Sequence, residues 1–170
     1  LALSVASTEL RNDKDVVMAA VKNHVDVLQY ASPKLQADRE VVMAAVRPGF
    51  SLVRATPELK DNKLVVLAVV NKEGGELEYA SQKLRNDRDV VMAAVNNDGD
   101  ALDYASYQFK NDRKVVMAAI NNDSDALQYA SAKLKDDRVV VLTAVRKNSS
   151  AINHASKYLR EDEVVVATAN

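Results

Sequence analysis

The 170-residue chain has no cysteine. That excludes a disulfide framework, a thiolate metal site and a cysteine nucleophile, and it is compatible with a cytoplasmic location. Tryptophan is also absent and aromatic residues make up only 5% of the chain. A thick single core built around large rings is therefore not expected. There are two histidines, His24 and His154, far apart in sequence. They are expected to be surface or half-buried imidazoles rather than a shared metal site or half of a Ser-His dyad. The longest unbroken apolar run, Leu64 to Val70, is far too short to span a bilayer. No targeting segment is visible, and no membrane partner is expected. Neither sign of charge is in excess: the net charge is −1 with 28% charged residues. This argues against a general nucleic-acid binder and against an acidic disordered tail. No catalytic, metal-binding or phosphate-cradling motif is present, so no cofactor is expected. Asn148-Ser149-Ser150 fits the glycosylation acceptor pattern, which a three-residue match reaches by chance.

What the chain does contain is repetition. The phrase LRNDKDVVMAAV begins at Leu10, and variants of it begin at Leu35, Leu59, Leu84, Phe109, Leu134 and Leu159. Successive starts are 25 residues apart, except the step from Leu35 to Leu59, which is 24. Between them lies a second phrase, DALDYAS from Asp100 and DALQYAS from Asp125, with looser copies at Leu1, Val25, Gly75 and Ser150. A period of this length is the mark of a stacked-repeat architecture.

The first phrase reads as a helix. Asp87 stands where an N-cap oxygen accepts the free N–H groups of a first turn, and Asp13, Asp38, Asp112, Asp137 and Asp162 hold the same place, with Asn62 in the odd unit. Val91, Ala94 and Val95 give an i, i+3, i+4 apolar stripe, and Asn96-Asn97 is the expected end. The second phrase also reads as helix, capped by Asp98 or Asp100, with Leu102, Ala105 and Phe109 at three- and four-residue spacing. A strand reading of VVMAAV draws on its β-branched residues. The Ala-Ala pair and the preceding Asp cap oppose it, and the leucines do not follow a leucine-rich-repeat pattern. Helices this short are unstable alone in water, so each must be stabilised by its neighbours. The expected fold is all-α: an α-solenoid of about seven 25-residue two-helix repeats, one array over residues 1–170. Because the chain begins at Leu1 rather than Met, it is expected to be processed or part of a longer chain.

Phrases such as LRNDRDVVMAAV and DALQYASAKLKDD resemble the repeats of the domain-of-unknown-function 4116 family (DUF4116), which pair a YAS phrase with a VV-AAV phrase. The resemblance covers essentially the whole chain. It implies a helical repeat, often found beside other domains, with no assigned activity and no catalytic residues to carry over.

Four features are candidates for function. Arg11, Gln36, Lys60, Arg85, Lys110, Lys135 and Arg160 form one largely basic ladder, and Lys14, Arg39, Lys63, Arg88, Arg113 and Arg138 form another that ends at Glu163. Such an edge could attract an anionic partner, but the capping Asp between the two ladders favours a salt-bridged, solvated edge. Tyr30, Tyr79, Tyr104 and Tyr129 form an aromatic ladder, with Val5, Arg54 and His154 at the same place in other units. Such tyrosines serve either packing between units or an interface. The stretch Asn96-Asn97-Asp98-Gly99-Asp100 lacks the order and the final Glu of a calcium loop, and helix capping explains it better. Finally, RPGFSLVRAT from Arg47 departs from the repeat: it is one residue short, contains Pro48 and Gly49, places Phe50 at a polar position and Arg54 at the Tyr position, and is followed by Pro57. Arg47, Phe50 and Arg54 are therefore the places where the array is expected to bend or bind, with sequence drift as the alternative.

The function expected from all this is a non-catalytic helical-repeat module that binds an unknown protein partner or acts as a scaffold. The alternative is a structural spacer or a self-assembly element associating end to end.

Overall fold

Helix formation in this chain is punctuated by side-chain caps. In the computed structural model, which describes residues 2–46 and 50–169 apart from the side chains of Ala2 and Arg54, helix accounts for 75% of the described residues and no strand occurs among them. The repeat of Phe109 shows the pattern. Asp98 adopts an extended conformation, and its side chain accepts from the Asp100 N–H, starting a 3₁₀ helix over Gly99–Tyr104. Ala105 and Ser106 are extended, and a one-turn α-helix, Tyr107–Lys110, follows. Asp112 then caps the long α-helix Arg113–Asn122, its carboxylate accepting from the N–H groups of Lys114 and Val115.

The same Asp cap starts the long helices Lys14–Val21, Arg39–Ala45, Arg88–Asn97 and Arg138–Lys147. Asn62 does so for Lys63–Val70 and Asp162 for Glu163–Ala169. The helix ends at Asn97, as the Asn96-Asn97 pair suggests, with Asp98 as its extended C-cap residue.

The second phrase is thus a 3₁₀ helix and a separate α-turn rather than one continuous helix. The physical reason is the YAS serine. In its extended conformation it breaks the 3₁₀ helix, and at Ser7, Ser32, Ser131 and Ser156 its hydroxyl also accepts a first-turn N–H of the following α-turn, a bond that Ser106 does not make. Leu102, Ala105 and Phe109 are all buried, as their spacing suggests, but across that break. Pro57 opens the one-turn helix Pro57–Lys60, as Pro33 opens Pro33–Gln36. Proline suits this first position because its missing N–H has no intrahelical partner there anyway. Pro57 therefore belongs to the regular pattern and not to the break.

The chain divides into two compact units, Leu1–Val69 with Tyr79–Ser81, and Val70–Glu78 with Gln82–Asn170. In the first, Lys14–Val21 packs beside Arg39–Ala45, and Ala2–Val5 beside Val25–Tyr30. In the second, the long helices Arg88–Asn97, Arg113–Asn122, Arg138–Lys147 and Glu163–Ala169 pack side by side, and the 3₁₀ helices Gly99–Tyr104, Ser124–Tyr129 and Ser149–His154 lie side by side against them. The core is made of small side chains. Val90, Val91, Ala94 and Val95 of one long helix are completely buried, as are Ala101 and Leu102 of the following 3₁₀ helix. Ala and Val let the layers approach closely, and each buried valine contributes about 1.5–3 kcal/mol.

Candidate functional site

The polar residues that recur in every repeat are largely committed to joining neighbouring repeats. In the second unit, Arg88 Nη1 lies 2.7 Å from Asp112 Oδ2, Arg113 Nη1 3.4 Å from Asp137 Oδ2 and Arg138 Nη2 3.1 Å from Asp162 Oδ1. In the first unit, Lys14 reaches Asp38 at 3.0 Å and Glu40 at 2.8 Å. Each basic residue therefore holds the capping carboxylate of the next repeat. Lys14 and the Arg138 hydrogen bond help keep the Asp38 and Asp162 carboxyls below their ordinary range. Lys14 is the largest cause for Asp38, and the Val165 N–H is the largest for Asp162.

A second clasp uses the YAS serine. The Ser106 N–H donates to the Arg85 carbonyl at 3.0 Å, and its hydroxyl donates to Asn86 Oδ1 at 2.6 Å. Ser131 bonds in the same way to Lys110 and Asn111, Ser156 to Lys135 and Asp136, Ser32 to Arg11 and Asn12, and Ser81 to Lys60 and Asp61. The first basic ladder turns back on its own repeat instead. Arg11 donates to the Ser4 and Ala6 carbonyls, Gln36 to those of Gln29 and Ala31, and Lys110 pairs with Asp103 at 3.0 Å.

A third contact uses the asparagines at the long-helix ends. Asn97 Oδ1 accepts the Gly74 N–H at 2.7 Å, and Asn122 Oδ1 accepts the Gly99 N–H at 2.8 Å. The approach is so close that a Cβ on Gly99 would lie 2.7 Å from the Ala119 carbonyl oxygen and 2.9 Å from Asp123 Cβ.

The sequence candidates are placed as follows. Arg47 lies outside the described residues, as do Pro48 and Gly49. Arg54 ends the short 3₁₀ helix Leu52–Arg54, and its side chain lies outside the description. Phe50 is half-buried. Tyr30 is exposed and lines a shallow groove with His24, Asp26, Val27 and Gln29. Tyr79, Tyr104 and Tyr129 are half-buried. In the second unit, Tyr104 and Tyr129 share one environment. Desolvation first, and then the carboxylates of Glu78, Asp103, Asp100 and Asp98, raise the Tyr104 phenol pKa; Tyr129 is raised by burial and then by Asp100, Asp103, Tyr104 and Asp98. The Asp100 carboxyl is itself raised, by burial and by Asp123, Asp98, Asp125 and Asp103. The structure thus places Tyr104 and Tyr129 in a row of negative charge.

His24 is exposed and His154 half-buried. No group of three metal-capable side chains occurs among the described residues, and no described helix is long and apolar enough to cross a membrane. Two strongly exposed aromatics escape the ladder reading: Tyr107 (72%) and Tyr158 (75%), both in the first turn of one-turn helices. Their signal is an aromatic residue at a position that is mostly polar or proline in the other repeats, the same reasoning that singles out Phe50.

No curated protein and no solved structure matches the chain. The family described as Domain of unknown function (DUF4116) matches residues 1–36, 26–60, 62–110 and 112–160. These matches cover nearly the whole array of capped, clasped repeats, and the chain is a member of the DUF4116 family.

Proposed function

We propose that the chain is a non-catalytic interaction module that presents the Tyr104–Tyr129 row, with its flanking carboxylates, to a protein partner carrying a basic segment. The supporting observation is a division of labour. The recurring Asp, Ser and Asn side chains are used in caps and joints, whereas Tyr104 and Tyr129 remain half-exposed beside Asp100, with Asp98, which also caps its helix, and Asp103, which also pairs with Lys110, close by. Tyrosine combines a large apolar face with a polar tip, which favours interfaces, and a row of one charge sign favours a partner of the other. At the starts of their long helices Lys14, Arg88, Arg113 and Arg138 are paired with the next repeat's aspartate, which weighs against a nucleic-acid partner.

The test is affinity capture from a cell lysate with the wild-type chain, the Tyr104→Ser/Tyr129→Ser variant and the Asp100→Asn/Asp103→Asn variant, with helix content checked in each. A protein that binds the wild type, releases with salt and is lost from both variants supports the proposal. Capture that both variants retain, or no capture above the bead control, overturns it.

A further inference from the structure

One joint lacks the clasp. At every other described YAS joint, the serine hydroxyl donates to an Asn or Asp that follows the one-turn helix of the previous repeat: Asn12, Asp61, Asn86, Asn111 or Asp136. In the repeat of Leu35 that place is held by Ala37, which has no acceptor. In the next repeat the serine's place is held by Thr56. Its Oγ1 is buried without a hydrogen-bond partner and makes no cap bond to the helix it precedes. The ion pair is altered at the same joint: Asn62 stands where the other repeats carry a capping aspartate, so the following cap offers Arg39 no charge. The Gln36 carbonyl, whose counterparts accept the serine N–H, is instead satisfied by Asn62 Nδ2 at 3.0 Å. Two losses, of the serine clasp and of the charged cap, therefore coincide at the step that is one residue short, where the Gln36–Asn62 bond remains as a tie between the two repeats.

We propose that this joint, between the repeats of Leu35 and Leu59 within the first unit, is a built-in hinge at which neighbouring repeats part first. A buried hydroxyl without a partner is a standing cost, while a closed hydrogen bond stabilises the joint it spans. Local opening is governed by such differences, because stability is distributed unevenly along a structure. The neighbouring joint has the Ser32–Asn12 bond at 2.8 Å and the Lys14–Asp38 ion pair at 3.0 Å, so it stays closed when this one opens.

The test is amide hydrogen exchange on the whole chain, read by peptide mass. In the wild type, peptides over residues 52–62 exchange about tenfold faster than those over 28–36, a ratio matching about one lost hydrogen bond and its partner's desolvation. In the Ala37→Asn/Thr56→Ser variant, which restores the clasp, exchange over 52–62 slows about tenfold and 28–36 is unchanged. Transplanting the defect, as Asn12→Ala/Ser32→Thr, speeds exchange over 28–36. Equal exchange of the two regions in the wild type overturns the proposal. So does restoration of the clasp without slower exchange over 52–62. Because Ala37 is exposed at a helix end, asparagine is accommodated there without disturbing the core.

Discussion

Arg88 Nη1 and Asp112 Oδ2 lie 2.7 Å apart, while the other oxygen of the same carboxylate, Oδ1, accepts the N–H groups of Lys114 and Val115 at 2.9 and 3.2 Å. One side chain thus starts its own helix and anchors the preceding repeat. The two roles separate by mutation. Asp112→Ala removes both and is expected to cost about 1–2 kcal/mol, in the range of a lost N-cap. Asp112→Asn keeps the cap oxygen and loses only the charge, and Arg88→Gln likewise loses only the pair. Both are expected to cost at most about 1 kcal/mol, because the pair is solvent-exposed. Urea unfolding of the three variants checks the ranking, and equal losses for alanine and asparagine would count against it.

Ser131 and Asn111 are the best test of the serine clasp, since Ser131 is only 5% exposed and also caps the Leu134 N–H. Ser131→Ala is expected to cost about 1–2 kcal/mol and Asn111→Ala about 1 kcal/mol. The double variant should cost less than the sum, with a coupling of about 0.5–1.5 kcal/mol, as expected for residues in direct contact. Strict additivity in a double-mutant cycle would show that the hydroxyl bond contributes nothing.

The contact at Gly99 is a matter of space. An added methyl meets backbone at Ala119 and the Asp123 side chain, so Gly99→Ala is expected to destabilise by about 1–3 kcal/mol, the range for overpacking. Ser124 holds the corresponding place one repeat later and already carries a Cβ, so Ser124→Ala is expected to be nearly neutral. Thermal melts of the two variants decide the matter.

Acid acts on the joints with a definite sign. Asp38 and Asp162 have depressed pKa values in the folded state. Their contribution is therefore fully present above the unfolded aspartate value of about 3.9 and is lost as pH falls below it toward the folded value. Asp100, whose pKa is raised, works in reverse: its ionised form is disfavoured in the folded state. Asp100→Asn should therefore stabilise at pH 7, by no more than about 0.5 kcal/mol because solvent screens the site. That gain should vanish near pH 3, where the carboxyl is protonated in both states. Melting curves at the two pH values show whether the gain follows protonation.

The helices and their starts were legible because an Asp before an apolar stripe is a local signal. Asp13, Asp38, Asp87, Asp112, Asp137 and Asp162 all cap as their place suggests, and Asn62 does so in the odd unit. The burial of Val91, Ala94 and Val95 was equally readable from spacing. The restart at Ser106 was not, because three- and four-residue apolar spacing fits one bent path or two helices alike. The joints were hidden for a different reason. The serine of each YAS phrase is plain in the sequence, but its acceptor lies in another repeat, and the pairing becomes visible only once repeats are stacked. The ladder Tyr104 and Tyr129 was legible as a row. Its acidic surroundings were not, since Asp98, Asp100 and Asp103 read first as caps and surface charge. Pro57 looked like part of the break and proved to stand where Pro33 does.

The clasps also bear on how such a chain can change length. Each of these joint bonds links residues roughly one repeat apart, from Ser106 with Asn86 to Lys147 with Ile120, and donors and acceptors stand on both sides of a joint, as Arg88 donates forward to Asp112 while Ser106 donates back to Asn86. Duplication or loss of a whole 25-residue unit leaves matching faces in contact and requires no new partner. A single-residue deletion puts the serine and the aspartate out of step with their partners, and at the one short step both are replaced, by Thr56 and Asn62, while Leu52, Leu59, Val65 and Val66 keep the core face buried. The array is therefore quantised in length: it can grow or shrink by repeats, and folding can spread from whichever pair closes first, since no joint waits for a distant part of the chain.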